Sequence, residues 1–212
     1  TIVCGFLSCD LRPFNPLVAA LPRLLHLRAA DGGRWIAQFL QQAVVESHSN
    51  RPGSEAMLAR MSEMLFVDAV RRHVEALPPE GTGWLAGLRD PAVGRVLALL
   101  HTKPAADWTA DGLASAVNMS RSAFAERFTQ LIGAPPMRYL TNWRMQLAAS
   151  KLRDTRQSIA QIAFGVGYES EAAFNRAFKR EYGLPPARYR REKAGQRAEA
   201  PSSGERVSEN RR

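Results

Sequence analysis

The sequence predicts a mainly α-helical chain organised around a tandem pair of helix-turn-helix units. Three observations carry that prediction. A segment occurs twice, fifty positions apart: F-A-E-R-F-T-Q-L-I-G-A-P-P-M-R-Y from Phe124 to Tyr139, and F-N-R-A-F-K-R-E-Y-G-L-P-P-A-R-Y from Phe174 to Tyr189. Phe, Phe, Gly, Pro-Pro, Arg and Tyr fall in register without a gap. Each copy is preceded by the pattern of a short helix and a turn, and from Asp90 onward the apolar spacing is helical throughout.

Taken in order, residues 1–10 (T-I-V-C-G-F-L-S-C-D) read as one β-strand, and a lone strand cannot bury its face. It is expected to be the last piece of a sheet otherwise absent, and Thr1 in place of Met suggests a missing N-terminal portion. Leu11 to Pro22 holds three prolines and reads as a loop or extended segment. Arg34 to His48 carries Trp35, Phe39, Leu40, Ala43 and Val44 at helical spacing. Ser54 is the expected N-cap of a helix through Leu77, with Leu58, Met61, Leu65, Phe66, Val70 and Val74 on one face. Pro78-Pro79 ends it and 80–83 is a linker. This amphipathic pair fits an ordinary core and a contact between two chains equally.

Asp90 and Pro91 open a helix through His101, cap first and proline at the first helical position. Thr109–Val117 with Ser120–Ile132 form the first helix-turn-helix (109–132), Pro136–Arg153 a connecting helix, and Ser158–Val166 with Ser170–Tyr182 the second unit (158–182). Composition turns polar after Tyr189, and residues 193–212 are expected to be disordered.

A helix-turn-helix needs small residues where its helices cross, a turn residue that tolerates positive φ, and a capped second helix with an apolar inner face. Ala114 and Ala163 meet the first need, Asn118 and Gly167 the second, and Ser120 and Ser170 with the pairs Phe124/Phe128 and Phe174/Phe178 the third. With the phenylalanines turned inward, the outer face carries Arg121, Ser122, Ala125, Glu126 and Thr129 in one copy. In the other it carries Glu171, Ala172, Asn175, Arg176 and Lys179. These suit base edges: Arg176 fits guanine, Asn175 adenine, Glu126 the cytosine amine, and the Ala125 and Ala172 methyls thymine. Arg121, Ser122 and Glu171 complete the base-reading set, while Ser120, Thr129, Ser170 and Lys179 are assigned to the DNA backbone.

The charge agrees. The net +9 is concentrated in residues 90–191, where 15 Lys/Arg face 8 Asp/Glu, the footprint of a polyanion binder. Cys4 and Cys9 are too few for a disulfide framework, which points to a reducing cytoplasm. No apolar run spans a bilayer and no signal peptide is evident. The four histidines lack metal-ligand spacing, and there is neither a Gly-rich phosphate loop nor a G-x-S-x-G elbow, so no metal, cofactor or catalytic centre is expected.

Residues 92–191 resemble the AraC/XylS family of bacterial transcription regulators. The most specific stretch is 159–190, with its I-A, G-Y, F-N-R-A-F-K and G-L-P-P-A-R-Y-R elements; L-A at 113–114 and M-S-R-S-A-F-A-E-R-F at 119–128 are similar too. The resemblance implies a seven-helix DNA-binding domain (90–191) in which the Pro136–Arg153 helix joins two units docked on adjacent major-groove segments. Residues 1–89 are similar to a cupin-type subgroup through V-C-G (3–5), N-P-L-V-A-A-L-P (15–22) and R-P-G-S (51–54). That implies a C-terminal remnant of a cupin-like effector domain (1–30), followed by a helical linker or dimerisation region (31–83). The chain departs from the subgroup in lacking most of the barrel and in having Asn15 where His-Pro is usual. By the same resemblance Cys4 is a candidate redox sensor.

The expectation is a sequence-specific regulator of transcription that binds double-stranded promoter or operator DNA. RNA polymerase and a second copy of the chain are candidate further partners. The competing reading is a truncated or orphan DNA-binding module without effector control.

Overall fold

The computed structural model describes residues 15–26, 33–49, 51–78 and 83–199. The expected strand over 1–10, with Cys4 and Cys9, and the segment 200–212 lie outside the described residues. All regular structure among the described residues is helical: α1 (Pro16–Ala20), α2 (Gly33–His48), α3 (Ser54–Ala76), α4 (Trp84–Arg89), α5 (Pro91–Thr102), α6 (Ala110–Ala116), α7 (Arg121–Ile132), α8 (Pro136–Asp154), α9 (Ile159–Gly165), α10 (Glu171–Tyr182) and α11 (Pro186–Glu199). They fall into two compact units, one of Asn15–Gly94 with Gln130–Gly133, the other of Arg95–Thr129 with Ala134 onward.

In the first unit α2 packs on α3, and α4 contacts both α1 and α3. Ala43, Met61, Leu85 and Val93 are its buried apolar side chains among the described residues. The junction between α2 and α3 is organised by the carboxylate of Glu46, which is buried. Its oxygens accept from Ser54 Oγ at 2.6 Å and Arg51 Nη2 at 2.7 Å. The Ser54 hydrogen bond, helped by Arg51, holds the Glu46 carboxyl below its ordinary pKa against the opposing effect of burial.

Two expectations are corrected here. Ser54 does not cap α3: Gly53 holds the cap position at φ 87°, and the Ser54 hydroxyl is committed to Glu46. Residues 16–20, expected as loop, are a helical turn, because Asn15 Oδ1 accepts from the Val18 amide at 3.1 Å and Pro16 occupies the first helical position. The short α4, which follows directly on the expected linker, was not anticipated.

The second unit is a structural repeat sharing one helix. Helix α6 and α7 form one helix-turn-helix, α9 and α10 the other, and α8 both follows the first and precedes the second. Local chemistry starts each piece as the sequence suggests. Thr109 caps α6 through the Gly112 amide at 3.0 Å. Ser158 and Gln161 form a reciprocal capping box on α9, at 3.1 and 2.8 Å. Asn118 (φ 54°) and Gly167 (φ 85°) make the two turns in the left-handed region. Each turn is closed by the same bond, to Ala114 O from the Met119 amide and to Ala163 O from the Tyr168 amide, both 3.0 Å. The second turn is one residue longer, which accounts for the shift from 49 to 50 between matched positions.

The aromatic residues of the repeat form two equivalent clusters. Phe124 and Phe128 lie 5.7 Å apart, and Phe128 meets Tyr139 edge-on at 5.8 Å. Phe174 and Phe178 lie 5.6 Å apart, and Phe178 meets Tyr189 edge-on at 5.4 Å. The four phenylalanines are fully buried. Each tyrosine hydroxyl then ties its helix back to the one before the helix-turn-helix: Tyr139 to His101 Nε2 at 2.8 Å, and Tyr189, as acceptor, to Arg153 Nη1 at 3.3 Å. Around the second cluster lie Met145, Ala148, Ala149, Leu152, Ile162 and Val166.

Of the polar tail expected over 193–212, only the part to Glu199 lies among the described residues, and it is helical. Helix α11 runs on through Glu199, and Arg, Glu, Lys, Ala and Gln are strong helix formers.

Two outcomes follow for stability. Phe178→Ala removes a ring enclosed by Phe174, Tyr182 and Tyr189 and should cost about 3–5 kcal/mol in urea unfolding. Burial between Tyr139 and Trp143 lowers the pKa of His101 from its ordinary 6.5. A depressed histidine is neutral in the folded state while the unfolded state takes up a proton. The urea midpoint should therefore fall as pH drops below 6.5, and His101→Gln should flatten that part of the pH dependence.

Candidate nucleic-acid interface

The two second helices, α7 and α10, are each presented by the same construction. A serine starts the helix, with Ser120 Oγ accepting from the Ala123 amide at 3.3 Å and Ser170 Oγ from the Ala173 amide at 3.2 Å. The phenylalanine pair fixes the inner face. What remains faces solvent.

On α7, Arg121, Ser122 and Glu126 are exposed, whereas Ala125 and Thr129 are half-buried. Ser122 Oγ lies 3.4 Å from Ser120 Oγ, and Thr129 donates to Ala125 O at 2.7 Å. Arg121 pairs with Asp111 on α6 at 3.3 Å, and both side chains are exposed. Such a pair is worth little in water and is easily exchanged for a phosphate or a base.

On α10, Glu171, Ala172, Arg176 and Lys179 are exposed. Arg176 and Lys179 have no hydrogen-bond or ion-pair partner among the described residues, and Arg180 lies exposed next to Lys179. These cations stand one turn apart on a helix whose buried positions hold it rigidly, which suits them to an anionic ligand.

Asn175 differs from the expectation. It is half-buried, and its Oδ1 is enclosed without a partner. It lies in a cleft of about 330 Å³ lined also by Ile159, Glu171, Arg176, Lys179 and Pro186. The side chain follows Phe174 round the helix toward α9 and the start of α11 rather than outward. In this conformation the amide does not offer its oxygen and nitrogen together, as an adenine edge requires. The other expected residues are brought together as two patches, one per helix-turn-helix.

A residue of consequence escaped the sequence reading. Arg144, in the middle of α8, is half-buried and donates to three backbone carbonyls: Pro104 through Nε at 2.8 Å, Ala106 through Nη2 at 2.9 Å, and Gly167 through Nη1 at 3.1 Å. Burial lowers its pKa, while Tyr168 and Asp107 act in the opposite sense. The available signal was a single arginine inside the apolar run Tyr139, Leu140, Trp143, Leu147. Arg190 plays a smaller part of the same kind, donating to Gln157 O ahead of α9 at 2.6 Å.

Among the described residues no group of three or more His, Cys, Asp or Glu could hold a metal ion. No helix there is long and apolar enough to cross a membrane.

Comparison with known proteins bears on both halves. A helix-turn-helix domain model matches residues 113–192, and a cupin model matches residues 1–75. A putative AraC-like transcription regulator of Streptomyces lividans is 38% identical over 191 residues, covering 90% of this chain and 63% of that protein. The RCS-specific HTH-type transcriptional activator RclR of Escherichia coli K12 is 34% identical over 195 residues, covering 89% of this chain and 67% of its own length. Among solved structures, the DNA-binding domain of AdpA in complex with a target DNA is similar with a TM-score of 0.50 and 29% identity, over 52% of this chain and 99% of that one. The chain spans about three fifths of the length of the curated relatives it matches.

Proposed function

The chain belongs to the AraC family of transcription regulators, and on that premise we propose that it regulates transcription by sequence-specific binding of double-stranded DNA. In this reading α7 and α10 enter adjacent major-groove segments, one per helix-turn-helix. The observation that carries it is the duplicated presentation of the two helices: same cap, same buried phenylalanine pair, same tyrosine tie, different outward chemistry. A bundle under no demand beyond stability has no reason to repeat the buried positions so closely while varying the exposed ones.

Arg176 is assigned to a guanine O6/N7 edge, Glu126 to a cytosine amine, and Arg121, Ser122, Ala125, Glu171 and Ala172 to neighbouring bases. Ser120, Thr129, Ser170 and Lys179 are assigned to phosphates. Asn175 is assigned to an adenine edge, which requires its amide to turn out of the cleft where Oδ1 is enclosed. The cupin match over residues 1–75 supports a regulator with part of an effector domain over an orphan DNA-binding module, with Cys4 as its proposed redox sensor. Met57, Met64 and Val67, exposed along α3, support a second copy as partner, and RNA polymerase is the further partner proposed for a regulator of this family. The cytoplasm is the compartment this function requires.

Binding should be measured on sites selected from a random DNA pool. Arg176→Ala should cost about 1–3 kcal/mol and relax preference at one base pair. Unchanged discrimination across every single-base variant would remove Arg176 from the readout. Lys179→Gln should weaken all sequences alike and reduce the slope of log K against log salt by about one. Binding insensitive to salt would refute the DNA-binding role altogether.

A further inference from the structure

Helix α8 has 19 residues, so it is about 28 Å long at 1.5 Å per residue. A helix of that length bends readily if nothing braces it. Attached only at its two ends, the helix-turn-helix units would then vary in separation and twist. The structure holds a brace at its midpoint. The guanidinium of Arg144 bonds Pro104 and Ala106, in the loop that leads into the first unit, and Gly167, in the turn of the second. One rigid, planar fork thus joins both units to the same point of α8.

The surrounding chemistry fits this junction. Gly167 lets the turn come close: a Cβ there would lie 2.8 Å from Arg144 Nη2, and 2.9 Å from both the Cα and the carbonyl oxygen of Ala105. Loop 103–107 and the second turn are therefore in direct backbone contact, with the arginine sealing the edge. Trp108 Nε1 donates to Lys103 O at 2.8 Å and holds the loop in shape. A lysine is a point donor on a flexible stem and cannot reproduce the three directions of the fork.

We propose that Arg144 is a positioning residue that fixes the separation and twist between the two recognition helices, so that the protein accepts bipartite DNA sites of one spacing only. The inference rests on the DNA-reading function proposed above. Its physical scale is favourable, since one base pair inserted between two half-elements moves them apart by about 3.4 Å and rotates them by about 35°. A braced reader cannot follow that change, and an unbraced one can.

The test uses the whole chain and the site it selects from a random pool, with one or two base pairs inserted or deleted between the half-elements. The wild type should lose about tenfold or more in affinity per base pair of altered spacing. Arg144→Lys should bind the selected spacing more weakly, yet change by less than about threefold across the spacing series. It should keep the wild-type penalty for base substitutions inside each half-element, a split that a general loss of stability would not produce. Gly167→Ala opens the same junction from the other side without removing the arginine, and should flatten the spacing profile likewise. Circular dichroism confirms folding of each variant at the assay temperature, with Arg144→Gln as a third variant. If folded Arg144 and Gly167 variants keep the wild-type spacing profile, the inference is overturned and Arg144 is a structural tie alone. A wild type indifferent to spacing overturns it as well. Failure of the wild type to select any sequence would instead sink the DNA-reading function on which it rests.

Discussion

The second unit depends on one repeated interaction, the edge-on contact of a buried phenylalanine with a tyrosine at the start of the next helix. Phe128 with Tyr139 and Phe178 with Tyr189 meet at nearly the same distance and angle. Each contact fixes the roll of a recognition helix, because the ring can be buried only if the opposite face turns to solvent. Each also sets where the following helix begins, since the tyrosine lies four residues after the Pro135 or Pro185 carbonyl that its amide donates to. Placement of the outward residues on α7 and α10 is therefore a consequence of core packing. Nothing on the outer faces themselves is needed to hold them there.

Sharing α8 between the two repeats turns two local constructions into one. The helix buries Tyr139 and Leu140 near its start and Met145, Ala148, Ala149 and Leu152 further along, so it serves two cores in succession. The half-buried Arg144 is placed between them. A desolvated arginine is costly unless its donors are used, and here three carbonyls that no helix satisfies accept from it. The arrangement resolves two polar problems together: loop carbonyls that need donors, and a guanidinium that needs acceptors.

Much of this was legible from residue types. Caps at Asp90, Ser120 and Ser170, and the left-handed turns at Asn118 and Gly167, are local effects, and local effects leave local signatures. The aromatic pairs declared themselves through their spacing of four. Expectations failed where a side chain had a choice of partners. Ser54 looked like a cap but found a carboxylate eight residues back. Asn175 looked outward by helical phase alone, yet neighbouring α9 and α11 cover its flank. The segment 16–20 was read too literally from proline count, when the Asn15 cap decided the outcome.

By itself, then, the sequence determined the helical class, the two helix-turn-helix units, the identity of their buried residues and the family to which the chain belongs. Those properties follow from periodicity and from residues interacting within about one turn of themselves. Only the tertiary structure decided which exposed positions remain open, and how the units are tied to each other. Arg144 meets its acceptors 38, 40 and 23 positions away. No pattern along the chain encodes those partners. They become neighbours only after α8 has packed against both units, which brings loop 103–107 and the second turn within reach of one guanidinium.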